Sequence, residues 1–566
     1  MPDPIVKLAA LDQLAALYGI PGQYIDAAGQ PVNIDSELKK TALEAMGVPV
    51  ASEPHIQASI AAYEEKQWTP LLPKVQVLHQ GKPFTIPVQV PETRLNNAFK
   101  GQLIPEKGEP QSLEVRAGSL RELDRKALKN TCFVRLELEL PGNLPAGYHE
   151  IILDDQDRVN RCLLIVAPSA CYEPPSLISA TQNSNSQENI WGSSIQLYTL
   201  RSEHNWGMGD FTDLKELVTR LAKEGADILG LNPIHALYPS NPNHCSPYSP
   251  SSRAFINPLY IDVCSVNGYE TCPEVTEQVN KPDFQNRLQQ SRNTEYVDYS
   301  LVASLKYPVL EALFQHFQIT HVSGKTEQAA AFDQYCRRKG QALERHGTYE
   351  ALFEHFKSLD INSWGWPCWP SEYQHPSGSG ATSFARQKKD RIRFYRFLQW
   401  QAEMQLEEAQ QAALAAGMKV GIYRDLAVGV DRGGADVWSE PENYILSASV
   451  GAPPDTVAPQ GQNWGLPPFN PEQLANKAYG PFIEMVQSNM QHCSALRIDH
   501  VMGLLRLWWC PPEKTADYGV YVNYPLDDLL GIIKLESQRN QCLVFGEDLG
   551  TVPPEIETAL PPARCY

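Results

Sequence analysis

The stretch SALRIDHVMGLLRLWW, residues 494–509, sets Arg497, Asp499 and His500 inside a run that is otherwise apolar and aromatic. If ALRID is a β-strand, Leu496 and Ile498 lie on one face and Arg497 and Asp499 on the other. A strand that packs through one face and ends in an ionisable pair suits a (β/α) barrel, where the C-terminal strand ends meet at a common mouth. A cation two residues before Asp499 favours its ionised form, and an ionised carboxylate can act as a nucleophile. A buried structural ion pair is the plainer alternative for an isolated Arg-x-Asp.

Working outward, two further strands end in carboxylates: KVGIYRDLAVGV (residues 419–430) carries Asp425, and CLVFGED (542–548) carries Glu547. Upstream, SSIQLYTL (193–200) and ADILGLNP (226–233) read as strands with an amphipathic helix at 212–224 between them. A mostly helical insertion spans about 238–400, and a helix to residue 416 returns the chain to the alternation. Asp425, Asp499 and Glu547 are therefore expected to converge. Phe545 and Leu549 are expected to desolvate Glu547 and raise its pKa. A protonated Glu facing an ionised Asp is the pair that a retaining glycosidase needs.

The rest of the chain reads as two smaller units. Residues 1–70 carry leucines at helical spacing and predict a small helical module, while 71–170 show short alternating runs punctuated by Pro and Gly. The second pattern predicts a β-sandwich, immunoglobulin-like or carbohydrate-binding-like. The polar stretch ATQNSNSQEN, 180–189, reads as a linker before a barrel unit at 185–566. HPSGSGATSF, 375–384, reads as a loop and not as a phosphate cradle. A formal charge of −18 argues against nucleic acid or an anionic membrane as partner. No apolar run approaches the roughly 18 residues that span a bilayer. Twelve scattered cysteines without a Cys-x-x-Cys pair fit reduced thiols in a cytoplasm, and neither a metal nor another cofactor is expected.

SALRIDHVMGL, VFGEDLGTVP, RDLAVGVDRGGADVW, GAPPDTVAPQGQNWGLPP and SPYSPSSRAFINPLYID together resemble the motif set of the 4-α-glucanotransferases called amylomaltases or disproportionating enzymes, glycoside hydrolase family 77. The resemblance runs from about residue 190 to 553, and the two N-terminal units resemble those of the longer bacterial members. It implies Asp499 as nucleophile, Glu547 as general acid/base and Arg497 as the group holding the nucleophile. It further implies substrate-binding roles for Asp425, for Tyr248 as a platform beside the scissile bond, and for Trp464 in a substrate-covering loop. His500 has no second ligand at metal spacing, so an orienting hydrogen bond is expected of it. Trp366 and Trp369 are expected to pack in a core or interface, with a glucan groove as the alternative. The implied activity is transfer of α-1,4-glucan segments between maltooligosaccharides or linear glucans, without cofactor. An α-glucan hydrolase and a non-catalytic glucan-binding fragment are the competing readings.

A closed barrel has eight strands, and about five are countable in the sequence. The final helix, starting near Pro553, is expected to break at Pro561 and Pro562, and ARCY (563–566) has neither the length nor the pattern of a further strand–helix unit. The resemblance implies a third essential carboxylate, an Asp, beyond residue 566. On that reading the chain is truncated, has little or no activity and exposes strand edges.

Overall fold

The structure, a computed structural model, describes residues 9–155, 158–175, 177 and 190–566. The expected linker at 180–189 lies outside them. At the centre is a parallel sheet of five strands: Gly192–Ile195, Ile228–Leu231, Gly421–Leu426, Ala495–Ile498 and Leu543–Gly546. Their order in the sheet is their order in the chain, so each crossover joins adjacent strands, as in βαβ units. Asp425, Arg497 and Phe545 are paired across the third, fourth and fifth strands and share one face. Leu496 and Val544 are fully buried on the other face, within the apolar cluster that includes the helix Leu526–Asn540.

All five strands are shorter than the sequence runs suggest, and for two of them the cause is visible. The first stops at Ile195, because the Asn232 side chain accepts from the Leu197 amide and residues 197–199 wind into a 3₁₀ turn. The third stops at Leu426, because the buried Arg253 guanidinium takes the Ala427 and Val428 carbonyls at 3.1 and 2.7 Å. Those carbonyls are then lost to a sheet ladder. Beyond the short helix Pro554–Ala559, the terminal residues pair in parallel with the fifth strand. The Tyr566 amide donates to the Val544 carbonyl at 3.0 Å, and the Gly546 amide to the Tyr566 carbonyl at 2.6 Å. These bonds make a single β-bridge, between Cys565 and Val544, along the edge of the fifth strand.

Between the second and third strands stand the helices of the insertion, the longest being Glu327–Leu359 and Lys389–Ala415. HPSGSGATSF is only partly a loop, since a helix starts at Ser379. The N-terminal helices Ala10–Leu17, Ser36–Ala45 and Glu53–Trp68 form as expected, with an unforeseen strand pair, Gln23–Ile25 and Pro31–Asn33, among them. Residues 75–167 build a five-stranded and a three-stranded sheet around one core that includes Val88, Leu136 and Leu153, each fully buried.

The N-terminal helices do not form a core of their own. Leu14 and Leu43 share a cluster with Trp509 and Val522, which belong to a four-stranded antiparallel sheet. In that sheet Ser449–Ala452 pairs with Gln462–Asn463 and with Arg506–Cys510, which in turn pairs with Val520–Asn523. Gly19, at φ +77°, lets the chain pass close to Asn523, whose amide donates to the Gly19 carbonyl at 2.8 Å. Leu14→Ala is expected to cost about 2–5 kcal/mol, as for other large-to-small core changes. Because the core is shared, urea unfolding followed by tryptophan fluorescence and by circular dichroism should shift by the same amount. A shift in only one signal would show that the helices fold apart from the sheet.

Candidate active site

The fourth strand puts Arg497 at the centre of a carboxylate cluster. Its Nη1 lies 2.6 Å from Asp425 Oδ1 and 2.8 Å from Asp499 Oδ1, and its Nη2 lies 3.9 Å from Glu547 Oε2. Strand alternation explains this, since Arg497 and Asp425 are register partners while Asp499 and Glu547 follow directly on the ends of their strands. One guanidinium thus gathers acids from three consecutive strands. The expected convergence of Asp425, Asp499 and Glu547 is met.

Burial decides the electrostatics. Asp425 is pushed up to about 6, mainly by burial, with Asp499 and Glu547 adding to the shift against the opposing pull of Arg497. Asp499 is also raised, by burial first and by Glu547, despite its ion pair with Arg497. An Arg at this spacing therefore does not hold Asp499 below the usual carboxylate range; shared among several acids, it only limits the rise. Burial opposes the charge on Arg497, but Asp425 and Asp499 outweigh it and raise its pKa.

Glu547 is fixed by backbone donors. Its Oε2 accepts from the His500 amide and its Oε1 from the Leu549 amide, each at 2.8 Å. His500 adopts a left-handed backbone conformation, φ 53°, which presents that amide. The orienting bond expected of His500 thus comes from its main chain. Its imidazole, whose pKa burial lowers against the opposing pull of Glu547, lies edge-on to Trp464 with ring centroids 5.4 Å apart. Leu549 is 78% exposed, so it does not supply the apolar wall expected beside Glu547.

Trp464 follows the hairpin strand Gln462–Asn463, and through His500 the hairpin reaches the carboxylates. Tyr248 is half exposed, and its hydroxyl pKa is raised first by burial and then by the charges of Asp425 and Asp499. Trp369 is buried against Tyr349, Phe356 and Trp438, and the Trp366 indole donates to the Arg432 carbonyl at 3.0 Å, in keeping with core packing. Among the described residues no group of His, Cys, Asp and Glu is placed to hold a metal ion, and no helix is long and apolar enough to cross a membrane.

Sequence reading missed Arg253, although it lies within SPYSPSSRAFINPLYID. It is 4% exposed and anchors the loop that leaves the third strand just beyond Asp425. An arginine amid small and apolar residues was the available signal. The same loop carries Asp431, which accepts from Tyr238 Oη at 2.9 Å and from Ser249 Oγ, the neighbour of Tyr248, at 3.3 Å.

Comparison with known proteins agrees with this geometry. Residues 195–565 match the family described as 4-alpha-glucanotransferase, and residues 71–168 match the MalQ N-terminal beta sandwich domain. A 4-alpha-glucanotransferase of Haemophilus influenzae is 42% identical over 80% of this chain and 64% of its own length. One from Mycobacterium tuberculosis is 34% identical over 97% of this chain and 73% of its own length. This chain thus spans about two thirds to three quarters of the length of these relatives. The crystal structure of amylomaltase from Corynebacterium glutamicum superposes with a TM-score of 0.84 at 29% identity, covering 98% of this chain and 74% of that one. An amylomaltase from Streptococcus agalactiae, solved in complex with acarbose, shares the fold at a TM-score of 0.54 and 20% identity, over 66% of this chain and 71% of its own. The chain belongs to the 4-alpha-glucanotransferase family.

Proposed function

We propose that the chain transfers α-1,4-glucan segments between maltooligosaccharides or linear glucans by a retaining double displacement. The observation that carries this reading is the Arg497 fork, which gathers Asp425 and Asp499 and lies within 3.9 Å of Glu547. Asp499 attacks the anomeric carbon as nucleophile while Glu547 protonates the departing glycosidic oxygen. In the second step Glu547 takes the proton from the 4-hydroxyl of an acceptor sugar, and the covalent ester to Asp499 breaks. Arg497 positions the nucleophile, Asp425 accepts from sugar hydroxyls, and Tyr248 offers an aromatic platform. Trp464 and His500 cover the intermediate against water, which favours transfer over hydrolysis.

The domain reading belongs to the same proposal: a helical module at 1–70, a sandwich at 71–170, and a unit at 185–566 whose five parallel strands form an arc of a (β/α) barrel. The reaction needs no cofactor. The acidic charge suits a neutral glucan better than nucleic acid, and the unpaired thiols suit a cytoplasmic location.

Turnover of maltotriose, however slow, is expected to yield glucose and longer dextrins with the number of reducing ends constant. A rising count of reducing ends would identify the chain as a hydrolase. Glu547→Gln should slow reaction of maltotriose by roughly 10²–10⁴-fold, the usual range for general acid catalysis. An α-glucosyl fluoride donor, whose leaving group needs no proton, should form the covalent intermediate at a rate much closer to the parent's. Equal losses with both donors would remove the acid role from Glu547. The pH profile of kcat/KM provides a third check. Asp425 is held near 6 and Asp499 is also raised, so protonation of this coupled pair begins well above the ordinary carboxylate range. Activity should therefore fall as pH drops through about 6. An acid limb near 4, the ordinary carboxylate value, would contradict the burial described here.

A further inference from the structure

Trp364 is the most exposed tryptophan of the WGWPCW stretch. Trp366 and Trp369, its near neighbours, are tied into the core, whereas Trp364 leaves 48% of its surface in solvent. Its seat is nevertheless built. A Cβ placed on Gly433 would come within 2.8 Å of Trp364 Cζ3 and 3.2 Å of Asp431 Oδ1, so only glycine lets the indole lie against that loop. Gly365, the next residue, allows the same close approach: a Cβ there would sit 2.9 Å from Gly433 Cα. The loop is itself fixed, because the Gly433 amide donates to Asp431 Oδ1 at 2.7 Å and Tyr349 Oη donates to the Gly433 carbonyl.

That loop leaves the C-terminal end of the third strand, so Trp364 stands on the same side of the sheet as the carboxylates. Asp431 joins the two places. It accepts from Ser249, next to Tyr248, and its Oδ2 faces His244 Nε2 at 3.6 Å. From Asp499 outward the surface therefore runs through Tyr248 and the Asp431–His244 pair to Trp364. An aromatic face, then polar groups that bind hydroxyls, then a second aromatic face suits an extended sugar polymer, whose rings have apolar C–H faces and polar rims.

Building on the glucan-transfer reading above, we propose that Trp364 is a stacking platform for a glucosyl unit of a long α-1,4-glucan, remote from the scissile bond, and so sets a preference for chain length. Only a glucan long enough to reach from Tyr248 past Asp431 gains this contact.

The test is equilibrium binding of maltotriose and maltoheptaose by calorimetry, in the Asp499→Asn background so that neither sugar is consumed. Trp364→Ala should weaken maltoheptaose by roughly three- to tenfold, the range of an aromatic stacking contact, and leave maltotriose within about twofold. Trp364→Tyr should recover most of the lost affinity, which a purely structural role would not predict. An unchanged maltoheptaose affinity, or equal weakening of both sugars, would overturn the platform and point to a protein contact or a packing role for the indole. Normal maltotriose binding in either of those cases would leave the transferase reading standing. If neither sugar bound the unsubstituted background, both readings would fall.

Discussion

The Arg497 guanidinium is the interaction on which the site depends. Three acids at the ends of neighbouring parallel strands would repel one another strongly in a medium of low dielectric. One planar cation with several donors, placed in register with Asp425, makes the cluster tolerable. It does not neutralise the cost. Burial still lifts both Asp425 and Asp499, so the site holds its charges at the expense of stability. This is the usual condition of residues kept for chemistry rather than for folding. Arg497 and Asp499 sit in an apolar run because the strand packs through Leu496 and Ile498 and turns the alternate face to the carboxylate cluster.

The remaining architecture keeps that cluster from relaxing. Arg253 pins the loop beyond Asp425, the left-handed turn at His500 aims an amide at Glu547, and the Leu549 amide holds the other oxygen. The antiparallel sheet behind Trp464 is backed by the N-terminal helices through Leu14, Leu43, Trp509 and Val522. The N-terminal helices thereby support the hairpin that brings Trp464 into ring contact with His500. The apolar core is continuous from the first helix to the fifth strand, which couples remote packing to the geometry of the mouth.

Much of this was legible in the sequence because the signal was local. A period of two assigns Arg497 and Asp499 to one face without further information, and carboxylates at three strand ends predict a shared mouth. What was not legible depends on partners distant in the chain. Nothing near Ile195 says that Asn232 will cap the Leu197 amide, and nothing near Val428 says that Arg253 will take its carbonyl. The strand Arg121–Leu128 escaped notice because its charged sequence lacks the alternation of a half-buried strand, and five of its first six residues are exposed. The rise in the pKa of Asp499 was not legible for a related reason. Sequence shows the cation two residues away but not the burial, nor the two other acids that share it.

The claim at the centre of this account is that Asp499, held by Arg497, is the nucleophile. It is tested most directly by trapping the covalent intermediate with a 5-fluoro-α-glucosyl fluoride and mapping the labelled peptide by mass spectrometry. The account predicts one glycosyl adduct, on Asp499 within SALRIDHVMGL, and none after Asp499→Asn. An adduct on Asp425 or Glu547, or persistent labelling of the Asp499→Asn chain, would contradict it.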